Sequence, residues 1–184
     1  MSETVIQVTS LGKRIKGKTI LEDISFEINQ GDCVALIGPN GAGKTVLMSC
    51  ILGDKKPSSG QVLIDGKAGK AKNKIAVLLQ ENTIPNSLKV SELIAFFQSI
   101  SDNPLTNQEV QKLLQFKEDQ YQQFADKLSG GQRRLLAFVL CLIDKPKILF
   151  LDEPTAGMDT STRQRFWEIV NAVSYTHLTL PTIA

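Results

Sequence analysis

The stretch Gly38-Pro39-Asn40-Gly41-Ala42-Gly43-Lys44-Thr45 constrains this chain more than any other. It has the form G-x-x-x-x-G-K-[ST]. A short apolar run, Cys33 to Ile37, precedes it and reads as a buried strand; Lys44 to Leu52 reads as the helix that follows. Strand, loop and helix in that order build an anion cradle. Glycines let the backbone close round phosphate oxygens so that several N–H groups point at one anion. The helix N-terminus adds a partial positive charge. Lys44 is expected to reach the β- and γ-phosphates of a nucleotide, and the Thr45 hydroxyl to bind Mg²⁺. The expected nucleotide-binding set is Gly38, Pro39, Asn40, Gly41, Ala42, Gly43, Lys44, Thr45 and Val46.

A chain of 184 residues suits one domain, or one domain with a small insertion, and is long enough to bury a core. Its formal net charge of +2 gives no electrostatic footprint for nucleic acid or a membrane surface. Cys33, Cys50 and Cys141 each lie in an apolar run, in no metal or redox spacing, and are expected to be buried free thiols of a reducing compartment. No apolar run approaches the ~20 residues a membrane-spanning helix needs. Met1-Ser2-Glu3-Thr4 does not read as a secretion signal.

Taken in order, Val5 to Val8 and Leu21 to Ile28 are expected strands. In the second, Ile24, Phe26 and Ile28 alternate with Ser25 and Glu27, the period of a sheet with one wet face. Gln30-Gly31-Asp32 and Pro57-Ser58-Ser59-Gly60 are turns, and Gln61 to Ile64 is another strand. The lysine-rich stretch Lys67 to Lys74 reads as a solvated loop, because no aromatic residue interleaves for base stacking. Ile75 to Leu79 is a continuous apolar run, as in a buried strand, that ends at Gln80.

From Glu81 the pattern turns helical. Val90 to Ile100 is one candidate helix, and Thr106 to Glu109 is a capping box that starts another. Ser129 and Gln132 have the same spacing, ahead of a run from Leu135 to Ile143 that is apolar on nearly every side and so should be buried. Lys147 to Leu151 is a buried strand closed by Asp152-Glu153-Pro154. Asp159 or Thr160 caps a helix to about Val173 with Phe166, Ile169, Val170 and Val173 on one face.

The phosphate loop, Gln80, Leu128-Ser129-Gly130-Gly131-Gln132, the strand ending Asp152-Glu153, and Ala156-Gly157-Met158-Asp159 stand in one order. In that order they resemble the nucleotide-binding subunit of ATP-binding cassette (ABC) transporters, from about Val5 to Val173. The resemblance implies an α/β P-loop NTPase core with an antiparallel β subdomain, one cassette over residues 1–173, and a helical subdomain inserted at about 81–145. It implies ATP and Mg²⁺ as cofactors. Asp152 would hold Mg²⁺ through water, Glu153 would polarise the attacking water, and Gln80 would reach both metal and water. Ser129, Gly130, Gly131 and Gln132 would face the γ-phosphate bound to a second nucleotide-binding subunit, in a homo- or heterodimer. Asp159 would lie near that interface and also cap its helix.

Two departures from the family pattern stand out. Ile15 occupies the position best aligned with the family's adenine-stacking aromatic residue, so the base would be held by apolar contact. The only histidine, His177, follows no apolar strand after Val173, and the family's γ-phosphate histidine is not carried onto it. Val173 to Leu178 resembles the translation of a sequencing-library adapter, so residues 174–184 are expected to be a non-native tail, leaving the chain without further core strands. The resemblance as a whole implies an ATPase that drives export of a drug, peptide or lipid through a separate integral membrane permease. Such a subunit sits in the cytoplasm on the inner face of the membrane, without nucleic acid. A soluble ABC ATPase of translation or DNA maintenance stays open as an alternative, as does an inactive truncated fragment.

Overall fold

The computed structural model describes residues 3–68, 75–79, 84–174 and 180–183, the last group by backbone alone. Two strands, β1 (Thr4–Ile15) and β2 (Lys18–Asn29), pair antiparallel. The alternation in β2 holds: Ser25 and Glu27 are exposed, Ile28 is buried, and Ile24 and Phe26 are half-buried. β1 also pairs with β4 (Ser59–Ile64), and β4 with β5 (Lys67–Ala68), giving an antiparallel sheet in the order β2-β1-β4-β5. The expected loop from Lys67 therefore begins as a short strand; residues 69–74 lie outside the described residues.

The second sheet is parallel. Its order is β3 (Cys33–Leu36), β8 (Leu180–Ile183), β7 (Ile148–Asp152), β6 (Ile75–Leu78). This order corrects two expectations. The strand before the phosphate loop is not buried: Cys33 is exposed, Ile37 just past the strand is 77% exposed, and among the described residues β3 is an edge strand paired on one side only. The chain also has a further core strand after its last helix, since the backbone of Leu180–Ile183 fills the place between β3 and β7.

β7 shows how sequence sets the layers. Its side chains alternate faces, and both faces are covered. Ile148 and Phe150 join the cluster formed with β1, β2, β4 and α1 (Lys44–Ile51). Leu149 and Leu151 join the cluster formed with the helices between β6 and β7. Those helices are α2 (Val90–Ser99), α3 (Asn107–Leu114), α4 (Glu118–Tyr121) and α5 (Gly130–Leu142). After β7 comes α6 (Thr160–Ser174), whose Phe166, Ile169 and Val170 are buried against α5, with the Phe166 and Phe138 rings 4.3 Å apart.

Both capping boxes form. Thr106 accepts from the Glu109 N–H at 3.3 Å while the Glu109 carboxylate accepts from the Thr106 N–H at 2.7 Å. Arg165 of α6 donates to the Leu113 carbonyl at 3.1 Å and to that of Lys112, closing the C-terminus of α3.

Candidate nucleotide-binding site

The phosphate loop leaves β3 and enters α1 at Gly43, whose φ is +92°. Glycine is required there for space as well as for conformation: a Cβ would lie 2.9 Å from Leu21 Cδ2 and 3.2 Å from the Ile20 carbonyl oxygen. The loop is thereby seated directly on β2. Its tip, Pro39 to Ala42, is exposed, and the Ala42 N–H donates to the Pro39 carbonyl at 3.2 Å. Lys44 folds across the loop, its Nζ donating to the carbonyls of Gly38 and, at 3.4 Å, Pro39. The first turn of α1 carries no acidic residue and no side-chain cap. Its leading N–H groups and the Lys44 ammonium therefore present positive charge on one side. Thr45 is exposed at that turn, while the side chain of Val46 packs into the core and leaves only its backbone to a ligand.

Strand register places the acid pair beside this loop. Leu36, the end of β3, and Asp152, the end of β7, both pair with Ile183 of β8. They are level and two strand spacings apart, about 10 Å. Asp152 is half-buried and Glu153 exposed. On the other side of β7, Leu78 pairs with Leu151, so the end of β6 is level with the acid pair and one strand spacing away. Gln80, two residues on, lies outside the described residues. Phosphate loop, acid pair and the approach to Gln80 thus share the carboxyl edge of one parallel sheet, where ligands of such sheets bind.

The Ser129–Gln132 box forms at the start of α5: Ser129 Oγ accepts from the Gln132 N–H at 3.2 Å and Gln132 Oε1 from the Ser129 N–H at 3.1 Å. Ser129 and Gly130 are exposed, whereas Gly131 is buried against the start of α6. Among the described residues no hydrogen bond joins 129–132 to the phosphate loop, so the structure does not bring these two anion-type sites together within one chain. Asp159 caps α6, accepting from the Thr162 N–H at 3.0 Å and from the hydroxyls of Ser161 at 2.6 Å and Thr162 at 2.7 Å. Those bonds hold its carboxyl well below the usual carboxylate range.

Two residues escaped the sequence reading. Arg133 donates to the Ile84 carbonyl at 2.8 Å and to Asn86 Oδ1. Arg134 donates to the carbonyls of Leu79, Asp152 (3.0 Å), Glu153 (3.4 Å) and Pro154 (3.2 Å). The start of α5 is therefore tied to both sides of the segment that holds Gln80, and to the acid pair. The signal available in the sequence was an arginine pair directly between a capping box and an otherwise apolar helix.

Residues 21–156 match the family model described as ABC transporter. The chain belongs to the ABC transporter family. It is 34% identical over 178 residues to Nod factor export ATP-binding protein I of Ralstonia nicotianae, covering 91% of this chain and 55% of that protein. It is 33% identical over 183 residues to methionine import ATP-binding protein MetN of Legionella pneumophila, covering 92% and 54%. The chain spans about half the length of the curated relatives it matches. An ATP-binding cassette of an ABC transporter, solved in its ADP conformation, superposes with a TM-score of 0.82 at 22% identity over 99% of this chain and 81% of that one. A dimeric cassette in a post-hydrolysis state, bound to ADP and Pi, superposes with a TM-score of 0.80 at 20% identity over 97% and 87%. At these identities the likeness is one of fold, that of an ABC ATPase cassette, a P-loop NTPase.

The residues of this ABC cassette fit a nucleotide with its metal. The loop offers clustered N–H donors, an ammonium and no competing carboxylate in the first turn of α1. Thr45 and Asp152 supply the hard oxygen donors that Mg²⁺ prefers, and its remaining positions suit water and phosphate oxygens.

Proposed function

We propose that this chain is the ATP-binding and ATP-hydrolysing subunit of a transporter, working through a separate membrane permease. The observation that carries the reading is the register of β3 and β7 on either side of β8, which sets the phosphate loop and Asp152-Glu153 level on one sheet edge.

The loop N–H groups from Gly38 to Val46 and the Lys44 ammonium bind the phosphates, with the Lys44 charge at the β- and γ-oxygens. Thr45, Asp152 and Gln80 are the residues that would hold Mg²⁺, which would neutralise phosphate charge when bound. Glu153 orients a water and takes its proton as the water oxygen bonds to the γ-phosphorus and the bond to the β-phosphate bridging oxygen breaks. Ile15, half-buried at the end of β1, is the apolar contact assigned to the base.

Two such chains are needed for a complete site. Ser129, Gly130, Gly131 and Gln132 are assigned to the γ-phosphate held by a second nucleotide-binding subunit. Ser129 and Gly130 are exposed at the start of α5, and the dimeric ADP-bound neighbour shares this fold. Residues 1–173 are read as one cassette with the helical part at 81–145.

A permease as a separate chain and a place on the inner membrane face are carried over from the resemblance to ABC cassettes; no helix among the described residues is long and apolar enough to cross a membrane. We assign export as the direction, on the resemblance of the stretch from Ser129 to Asp159 to export-type cassettes and on the Nod factor export relative. Relatives named for spermidine/putrescine and methionine import match at similar identity, so overall likeness does not choose the direction.

The binding half of the reading is tested by Lys44→Ala. Removing the one full charge in the loop is expected to abolish most equilibrium ATP binding; affinity equal to that of the parent contradicts the assignment.

A further inference from the structure

Glu153 has a left-handed backbone, with φ of +43°. Glutamate rarely takes this conformation, which Asn, Asp and above all Gly favour. The other described residues other than glycine with positive φ sit elsewhere: Lys16 in the β1–β2 hairpin, Gln115 at the end of α3, Lys145 after α5, and Ser10, Asp23 and Asp65 in or beside the antiparallel sheet. Glu153 alone among them is at the carboxyl edge of the parallel sheet. Strain of this kind persists where the surroundings over-determine it.

The over-determining group is visible. The guanidinium of Arg134 donates to the carbonyl of Glu153 and to the carbonyls on both sides of it, Asp152 and Pro154. Its remaining fork reaches the carbonyl of Leu79, at the end of β6 that leads to Gln80. Only a planar cation with donors on several sides can serve acceptors on two strand ends at once; an ammonium is a point donor on a flexible stem. The group is half-buried, and burial pushes its pKa down while the nearby Cys141, Asp152 and Glu153 push it back up.

We propose that Arg134 is a positioning residue for ATP hydrolysis, holding the left-handed turn that aims Glu153 and tying that turn to the strand end before Gln80. The inference rests on the reading of Glu153 as the hydrolytic carboxylate. A guanidinium that merely filled the core would support folding and nucleotide binding together. A positioning group acts on turnover, through Glu153, with nucleotide binding intact.

The test is a set of variants of the full chain: Arg134→Lys, Arg134→Gln, Glu153→Gln and the double variant Arg134→Lys/Glu153→Gln. ATP affinity is measured in EDTA and in Mg²⁺, with steady-state turnover alongside. Arg134→Lys is expected to keep its EDTA affinity for ATP within about twofold and to lose about tenfold or more in kcat. Adding it to Glu153→Gln should then lower kcat no further, because the group it positions is already gone. Unchanged kcat in both Arg134 variants, or an equal further loss on the Glu153→Gln background, overturns the proposal. So does loss of metal-free ATP binding in both Arg134 variants, which marks a structural role only. A parent that binds ATP with Mg²⁺ but does not hydrolyse it contradicts the hydrolytic reading instead. The Arg134 arm is then read from the tightening of ATP binding by Mg²⁺. A reduction of about threefold or more in Arg134→Lys supports control of the Asp152-Glu153 turn, and no reduction overturns it.

Discussion

Gly131 leaves little room for a side chain beside Asp159. A Cβ placed at Gly131 would lie 3.2 Å from Asp159 Oδ2 and 3.4 Å from the Thr162 side chain. The second glycine of the Ser129–Gln132 stretch therefore serves as a close-approach point between the starts of α5 and α6. Ser129, Gly130 and Asp159 are exposed on the surface beside that contact.

Asp159 also sets a pH dependence. Its carboxyl is held below the ordinary range, first by the Ser161 hydroxyl and then by the hydroxyl and N–H of Thr162. A depressed folded value means the stabilisation is fully present above the unfolded carboxylate pKa of about 3.9 and is lost as pH falls through the folded value. The melting temperature of Asp159→Ala should therefore lie below that of the parent near neutrality, and the gap should close only in strong acid. A gap that stays constant across the acid range contradicts the cap.

The helix contact behind that surface is the Phe138–Phe166 pair, both fully buried with centroids 4.3 Å apart. Phe166→Ala removes a ring from between α5 and α6 and should cost about 3–5 kcal/mol, against a total stability of ~5–15 kcal/mol for a domain. Denaturant titration should show a large fall in midpoint with no change in slope. A midpoint near that of the parent would mean that these helices do not share a core.

The cysteines should divide by reactivity. Cys33 is exposed on the edge strand. Burial pushes the Cys141 thiol up to about 11 and raises that of Cys50 as well. Under native conditions near neutral pH, a thiol reagent should modify Cys33 first, and Cys50 and Cys141 only on unfolding. Equal labelling rates for Cys33 and Cys141 would contradict the sheet order.

What could be read from the sequence was local. The loop from Gly38 to Thr45, the boxes at Thr106 and Ser129, and the alternation in β2 each depend on residues within one turn or one strand. The cores on both faces of β7 follow from an unbroken apolar run. What could not be read depended on strand order or on distant partners. Cys33 looked buried because an apolar run does not say whether its strand is at an edge. β8 was not expected, because pairing between β3 and β7 is decided by space in the sheet and not by the residues of Leu180–Ile183 alone. The role of Arg134 is not legible in the sequence because its acceptors lie 18 to 55 residues away in the chain, and nothing in its immediate neighbours points to them.

The central claim is hydrolysis at the sheet edge by way of Glu153, and Glu153→Gln tests it most directly. The amide keeps the shape of the carboxylate and cannot accept the proton of water. ATP hydrolysis and equilibrium ATP binding should be measured on parent and variant together. The account predicts turnover reduced by about 10²–10⁴-fold with ATP affinity retained. Hydrolysis by Glu153→Gln at the rate of the parent contradicts it and places the catalytic base elsewhere.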